Sequence, residues 1–285
     1  MPDRIRVDVD GRHLDLSNLD KVLYPQVGFT KGEVIDYYTR IAPVLLPHLA
    51  DRPLTRIRYP NGVEGNSFFE KNAPAGTPDW VRTVRLPVPA SSRDRETIDF
   101  IVVEELATLV WLANLAALEL HTPQWRVSAD GEPLYPDQLV VDLDPGPPAG
   151  LPECYEVAQL VRAQLAADGM DCTPKTSGRK GMQLVADLPG DETADEISAY
   201  VRDVAGALAR RRPDLIVARM TRQLRPGKVF IDWSQNNAFK TTVAPYSLRA
   251  GALPTVSAPL TWDEVAAGVL TTADLTPAAV LERAL

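Results

Sequence analysis

Leu139-Val140-Val141-Asp142-Leu143-Asp144-Pro145 reads as a β-strand that ends on two carboxylates and is stopped by proline. Side chains in a strand alternate faces, so Asp142 and Asp144 point the same way. Two carboxylates held side by side repel each other unless a cation or a proton intervenes. A hard divalent ion held by carboxylates is the usual means of binding substrate phosphates. By itself the pair also fits a strand that runs into a solvated turn before Pro145.

Two further stretches share that chemistry. Thr176-Ser177-Gly178-Arg179-Lys180-Gly181 precedes the apolar pair Leu184-Val185. Its glycines let backbone amides approach an anion closely, and successive amides can form an anion-binding nest. Ser177 adds a hydroxyl, and Lys180 a point charge suited to phosphate. In isolation the stretch is also an ordinary glycine-rich turn between strands. Lys228-Val229-Phe230-Ile231-Asp232 is a second apolar strand ending in aspartate. Together, an acidic pair, a phosphate loop and a third acid describe a polyphosphate and its metals.

The layout around these stretches is a mixed α/β alternation without repeats or low-complexity tracts. Val7, Val9, Leu14 and Leu16 flank Asp10-Gly11 and predict an opening hairpin with a two-residue turn. Thr30 with Glu33 is a capping box opening a helix through Val34, Tyr37, Tyr38, Ile41 and Leu45. Pro43 should kink or shorten that helix. Phe100 to Val103 predicts a strand, and Glu104 to Leu115 a buried helix. Strands follow over 138–143, 172–176, 183–187, 215–219 and 229–232. Helices are expected from Pro152 to Ala167, stopped by Gly169, and from the box Thr193/Glu196 to Arg212, ended by Pro213. A third box, Thr261 with Glu264, starts a short helix near the end.

A chain of 285 residues is long enough for one large domain or two fused lobes. No apolar run approaches the roughly 18 residues of a membrane span, and no basic and apolar leader opens the chain. Cys154 and Cys172 lack metal-ligand spacing and fit a reducing cytoplasm. The net charge of −8 is unusual for a partner of nucleic acid. From Arg202 to Lys228 the balance reverses to +6, although such a run is as a rule a solvated helix face.

The order Asp142-Leu143-Asp144-Pro145, Ser177-Gly178-Arg179-Lys180-Gly181 and Val229-Phe230-Ile231-Asp232-Trp233 resembles the polymerase domain of bacterial ligase D, of the actinobacterial type. That domain belongs to the archaeo-eukaryotic primase superfamily and serves non-homologous end joining. The resemblance covers nearly the whole chain. It includes Leu16 to Pro25, Thr30 to Val34, Arg58 to Val63, Ser67 to Lys71, Glu119-Leu120-His121 and Ala244 to Arg249. It implies a primase-like catalytic core of mixed and antiparallel sheets flanked by helices, in two fused lobes. Residues 1–125 would form the lobe that contacts a DNA 5′-phosphate, and 126–285 the catalytic lobe.

The implied activity is template-directed nucleotidyl transfer with two metals. Asp142, Asp144 and Asp232 would hold divalent ions, Mn²⁺ in preference to Mg²⁺. One ion would activate the primer 3′-hydroxyl and the other would neutralise the triphosphate and pyrophosphate. Ser177, Lys180 and Arg249 would hold the triphosphate of an NTP or dNTP, ribonucleotides being preferred. Gln183 departs from the pattern, because many members carry histidine there. Glutamine can donate one hydrogen bond to a phosphate oxygen but cannot become cationic.

The resemblance further implies that Lys21 and Lys31, with Asn18 nearby, recognise the 5′-phosphate across a gap. Phe68 and Phe69 would stack beside the template, at roughly 1–3 kcal/mol per base, and Lys71 would add a backbone contact. Otherwise one of the two rings should be buried and the other half-exposed. His121 reads as a core or turn histidine, His13 and His48 as local, and Trp111 as core, whereas Trp125 and Trp233 are ambiguous. The implied setting is the nucleoid, with DNA ends and gaps, Ku and a ligase in cis or in trans as partners, and no membrane.

Two other classes fit parts of the pattern. A metal-dependent glycosyltransferase also uses Asp-x-Asp, but leaves Ser177 to Gly181 and Asp232 unexplained. A non-catalytic module that bridges DNA ends leaves the three acids unexplained. No Lys-x-Asp-Gly motif occurs, so nick sealing by a lysine nucleophile of that kind is not expected of this chain.

Overall fold

The computed structural model describes residues 4–87 and 96–285. The chain opens with the expected hairpin, β1 (Arg4–Val9) and β2 (Arg12–Ser17), turning at Asp10-Gly11 with φ of 51° and 81°. A short ribbon, β3 (Val22–Tyr24) with β4 (Phe29–Thr30), leads into helix α1 (Lys31–Leu49). The Thr30/Glu33 capping box forms as the sequence predicts.

Pro43 does not shorten α1, which runs through both Pro43 and Pro47. An interior proline costs a helix about 3 kcal/mol. Against that, Val34, Tyr37, Tyr38, Ile41, Leu45 and Leu49 are all buried, each stabilising by roughly 1.5–3 kcal/mol. The Tyr37 and Tyr38 hydroxyls also donate to the carbonyls of Tyr246 (2.7 Å) and Leu118 (2.6 Å). Tertiary packing outweighs the local penalty.

The next stretch is strand-rich: β5 (Pro53–Arg58), β6 (Phe68–Glu70), β7 (Thr83–Pro87), β8 (Thr97–Val102), helix α2 (Leu106–Asn114) and β9 (Ala117–Thr122). A ribbon of β10 (Trp125–Val127) and β11 (Pro133–Pro136) follows. Then come β12 (Gln138–Pro145), α3 (Leu151–Ala167), β13 (Thr173–Thr176), β14 (Met182–Asp187), α4 (Ala194–Arg211), β15 (Ile216–Val217) and β16 (Val229–Asp232). Short strands β17 (Thr242–Val243), β18 (Leu248–Arg249) and β19 (Thr255–Val256) precede α5 (Trp262–Ala267) and α6 (Pro277–Ala284).

Two sheets organise these elements. One has the order β17-β9-β5-β8-β7, with β6 also paired to β5, and is antiparallel throughout. The other runs β13-β14-β12-β16-β15 and is antiparallel except for its β15–β16 edge. This is the mixed α/β fold with mostly antiparallel sheets that the sequence led us to expect. β17 comes from the last fifth of the chain yet closes the edge of the first sheet, beside β9. One continuous apolar core joins α1, α2 and the first sheet to α3, α4 and the second. Cys154 is buried within it and Cys172 half-buried, both as free thiols.

Candidate active site

The second sheet builds the site from its middle strand. In β12 the odd positions Leu139, Val141 and Leu143 are buried, while Asp142 and Asp144 are half-buried on the opposite face. Antiparallel register sets Asp142 opposite Asp232 of β16 on one side and opposite Gln183 of β14 on the other. Burial, and then the neighbouring Asp232 and Asp144 charges, push the Asp142 carboxyl up to about 6. The opposing influence is the Gln183 amide, which donates to Asp142 Oδ1 at 3.0 Å.

Each acid is held by a local donor. Asp144 receives Lys180 Nζ at 2.8 Å and Arg225 Nη1 at 3.4 Å. Asp232 accepts from the Ser234 amide (3.0 Å), the Ser234 hydroxyl (2.5 Å) and Gln235 Nε2 (3.2 Å). Among the described residues no three His, Cys, Asp or Glu side chains close into a ready-made ligand cluster. The donor set nevertheless fits a hard divalent ion: all-oxygen, anionic and repulsive enough to raise Asp142.

The phosphate loop lies against this face, and two glycines make the approach possible. A Cβ on Gly181 would stand 2.2 Å from the Leu143 carbonyl oxygen. Gly178 has φ +69°, and a Cβ there would meet Arg249 Cγ at 2.4 Å. Within the loop, Ser177 Oγ accepts from the Arg179 amide (3.3 Å) and the Gly181 amide (3.2 Å). With its lone pairs engaged, the hydroxyl is left with its proton to donate.

Asp142, Asp144, Ser177, Lys180, Gln183 and Arg249 line one cavity of about 470 Å³. Asp232 joins through its register with Asp142 and through Gln235, which lines the cavity. Gln183 is not aimed as expected: its amide goes to Asp142 rather than outward, and it is buried. Nor is Lys180 a free cation, although its side chain is 61% exposed and able to swing.

Sequence reasoning missed the group that orients the cationic wall. Glu119 is 1% exposed and gathers Arg179 Nη2 (2.9 Å), Arg249 Nη1 (3.3 Å), His121 Nε2 (3.0 Å) and the Ala250 amide (3.0 Å). Burial alone would raise this carboxyl; the His121 hydrogen bond and the Arg249 and Arg179 charges overcome it and hold it down to about 2. Burial lowers His121, against the opposing hydrogen bond between its Nε2 and Glu119. His121 lines the cavity, so it belongs to the site and not only to the core. The sequence signal was Glu119-Leu120-His121, part of the resemblance but without a role assigned to Glu119.

The remaining expected residues lie away from this cavity. Asn18 takes φ 54° in a turn whose carbonyl receives the Lys21 amide at 3.1 Å. Lys21 Nζ donates to Asn61 Oδ1 (3.0 Å), and the Lys31 amide bonds the Lys21 carbonyl (2.8 Å). Lys31, the first residue of α1, is buried to 5% exposure with Nζ on the Ser17 carbonyl. Burial and the Lys21 charge lower it to about 8. Phe68 and Phe69 are both exposed, so neither is the buried ring that core packing alone would require. They line a second cavity together with Lys71.

A family model described as LigD, primase-polymerase domain, matches residues 30–285. The multifunctional non-homologous end joining protein LigD of Mycolicibacterium smegmatis is 45% identical over 251 residues, 88% of this chain and 32% of that protein. The bifunctional LigD of Bacillus subtilis is 33% identical over 271 residues, 95% of this chain and 42% of its own length. The chain thus spans about a third of the first of these relatives. The polymerase domain of Mycobacterium tuberculosis ligase D, solved in complex with DNA, superposes with a TM-score of 0.89 at 41% identity, covering 95% of this chain and 93% of that one. Its carboxylate-bearing strands, its glycine loop and these matches together make the chain a member of the LigD primase-polymerase domain family.

Proposed function

We propose that this chain is a template-directed nucleotidyltransferase that fills gaps and extends primers at broken DNA ends, with ribonucleotides preferred. The observation that carries the proposal is the single cavity in which the acidic strand end faces Ser177, Lys180 and Arg249. Asp142, Asp144 and Asp232 would hold Mn²⁺, or Mg²⁺ in its place, which when bound supplies Lewis-acid stabilisation of the triphosphate and activation of a 3′-hydroxyl.

The chain's own groups do the positioning. Ser177 donates its hydroxyl proton to a phosphate oxygen. Lys180, exposed and on a flexible stem, trades its contact with Asp144 for a phosphate. Arg249 is fixed by Glu119 and by its packing over Gly178, so its guanidinium is aimed before substrate arrives. Gln183 keeps the Asp142 carboxylate oriented.

Lys21, Lys31 and Asn18 cluster at the N-terminal end of α1, where two lysine charges and the helix dipole favour an anion. That supports recognition of a downstream 5′-phosphate. Ku and a DNA ligase, in cis or in trans, are the partners such an activity needs in the bacterial cytoplasm. The glycosyltransferase alternative explains neither the loop nor Asp232 and is set aside.

The test is primer extension across a short gap with Mn²⁺, comparing ribo- and deoxyribonucleoside triphosphates, wild type and Asp142→Ala. Template-dependent extension that disappears in Asp142→Ala is the expected result. DNA binding without extension by the wild type would overturn it in favour of end bridging.

A further inference from the structure

Four exposed aromatic rings surround one groove. Phe68 and Phe69 on β6 are 47% and 61% exposed, Tyr135 on β11 is 56% and Phe239 is 57%. All four line a cavity of about 1080 Å³, which meets the catalytic cavity at Thr241. Rings of this size usually bury most of their surface, so four left in water around one groove mark a surface built to be covered.

The charges say by what. Lys71 and Lys240 both line the groove. Among the described lining residues the one acid is Glu70, and it is neutralised by Arg56 at 2.7 Å and Arg58 at 3.0 Å. In a chain of net charge −8, this groove is locally positive. A polyanion with flat π faces satisfies both features. A duplex hides those faces in its own stack, so the strand must be unpaired.

One wall of the groove is pre-organised. Tyr135 sits on a strand paired to β10. From β10, Trp125 Nε1 donates to the Ala238 carbonyl at 2.8 Å and pins the segment that carries Phe239. Lys240 Nζ reaches the Ser234 hydroxyl, which itself donates to Asp232. The wall is therefore continuous with the catalytic carboxylates.

We infer that Tyr135, Phe239 and Lys240 complete, with Phe68 and Phe69, a cradle for single-stranded nucleic acid in which unpaired bases stack. Identifying the strand as the template ahead of the copied position rests on the polymerase reading above; the stacking site does not.

The experiment measures fluorescence anisotropy of a labelled thymidine dodecanucleotide and of a blunt duplex, with wild type and Tyr135→Ala/Phe239→Ala. Single-strand affinity is expected to fall about five- to a hundredfold, the range for loss of one stacked base, while duplex affinity holds. Tyr135→Phe, which keeps the ring, is expected to bind as wild type and shows that folding is not at issue. Unchanged single-strand affinity, an equal loss on the duplex, or a Tyr135→Phe as weak as alanine would each overturn the proposal. Gap extension by the same proteins separates the two readings. Loss of stacking in a chain that extends nothing leaves the cradle and removes the polymerase; full extension with unchanged binding does the reverse.

Discussion

Lys180 Nζ lies 2.8 Å from one oxygen of Asp144, and Arg225 Nη1 lies 3.4 Å from the other. The acid proposed to hold a divalent ion is thus already neutralised by two cations, one of which belongs to the phosphate loop. A cation at Asp144 and an anion at Lys180 are coupled: each removes the other's competitor.

Lys180→Met should therefore act in opposite directions on two ligands. Mn²⁺ binding without nucleotide should tighten, because one competitor for Asp144 is gone; calorimetry checks the sign. Nucleotide KM should rise about ten- to a hundredfold, the loss of one charge-assisted hydrogen bond of roughly 1.5–3 kcal/mol. Weaker Mn²⁺ binding would show that Lys180 supports the acid and does not compete for it.

Gly181→Ala should cost about 1–3 kcal/mol, the range for forcing atoms into a packed site. The added Cβ meets a backbone carbonyl, Leu143 O, that sits on the acid-bearing strand and cannot rotate away. Urea unfolding should show the loss, and extension should fall further than stability does, since relief can come only by moving β12 from the loop.

Glu119→Gln should destabilise by about 3–5 kcal/mol, because it leaves Arg249 and Arg179 without their buried counter-charge. The pH dependence has a definite sign. The folded carboxyl is held down to about 2, so its contribution is complete above the ordinary carboxylate range and is lost as pH falls toward about 2. Wild type should lose stability on acidification through that window, and the variant should lose less. Parallel acid limbs in the two proteins would exclude Glu119 as the hub.

Lys31 gives the alkaline counterpart. Its ammonium is lowered to about 8 in the free protein, and a bound phosphate would favour the charged form. Binding then takes up a proton at high pH, so preference for a 5′-phosphorylated gap should shrink as pH rises through about 8. Anisotropy with phosphorylated and unphosphorylated gaps measures it. Lys31→Met should remove both the preference and its pH dependence.

Local signals in this chain were accurate wherever a few adjacent residues decide the outcome. All three predicted capping boxes form, at Thr30/Glu33, Thr193/Glu196 and Thr261/Glu264. The opening hairpin turns at Asp10-Gly11, and β12 alternates as its pattern of apolar and acidic residues requires. At Pro43 the expected shortening does not occur, because packing along α1 carries the helix through it.

Which strands end in acids, where helices begin and which family motifs are present can all be read along the chain. Which charges meet depends on how distant segments pack. Glu119 reaches Arg179 and Arg249 across 60 and 130 positions, Gln183 turns inward to Asp142, and Tyr135 and Phe239 line one groove with Phe68 and Phe69. Capping and strand alternation act within a few bonds, so they can be read along the chain. Burial of a carboxylate or assembly of an aromatic cradle depends on sheet register and core packing between segments far apart in sequence, and no window of residues contains that information.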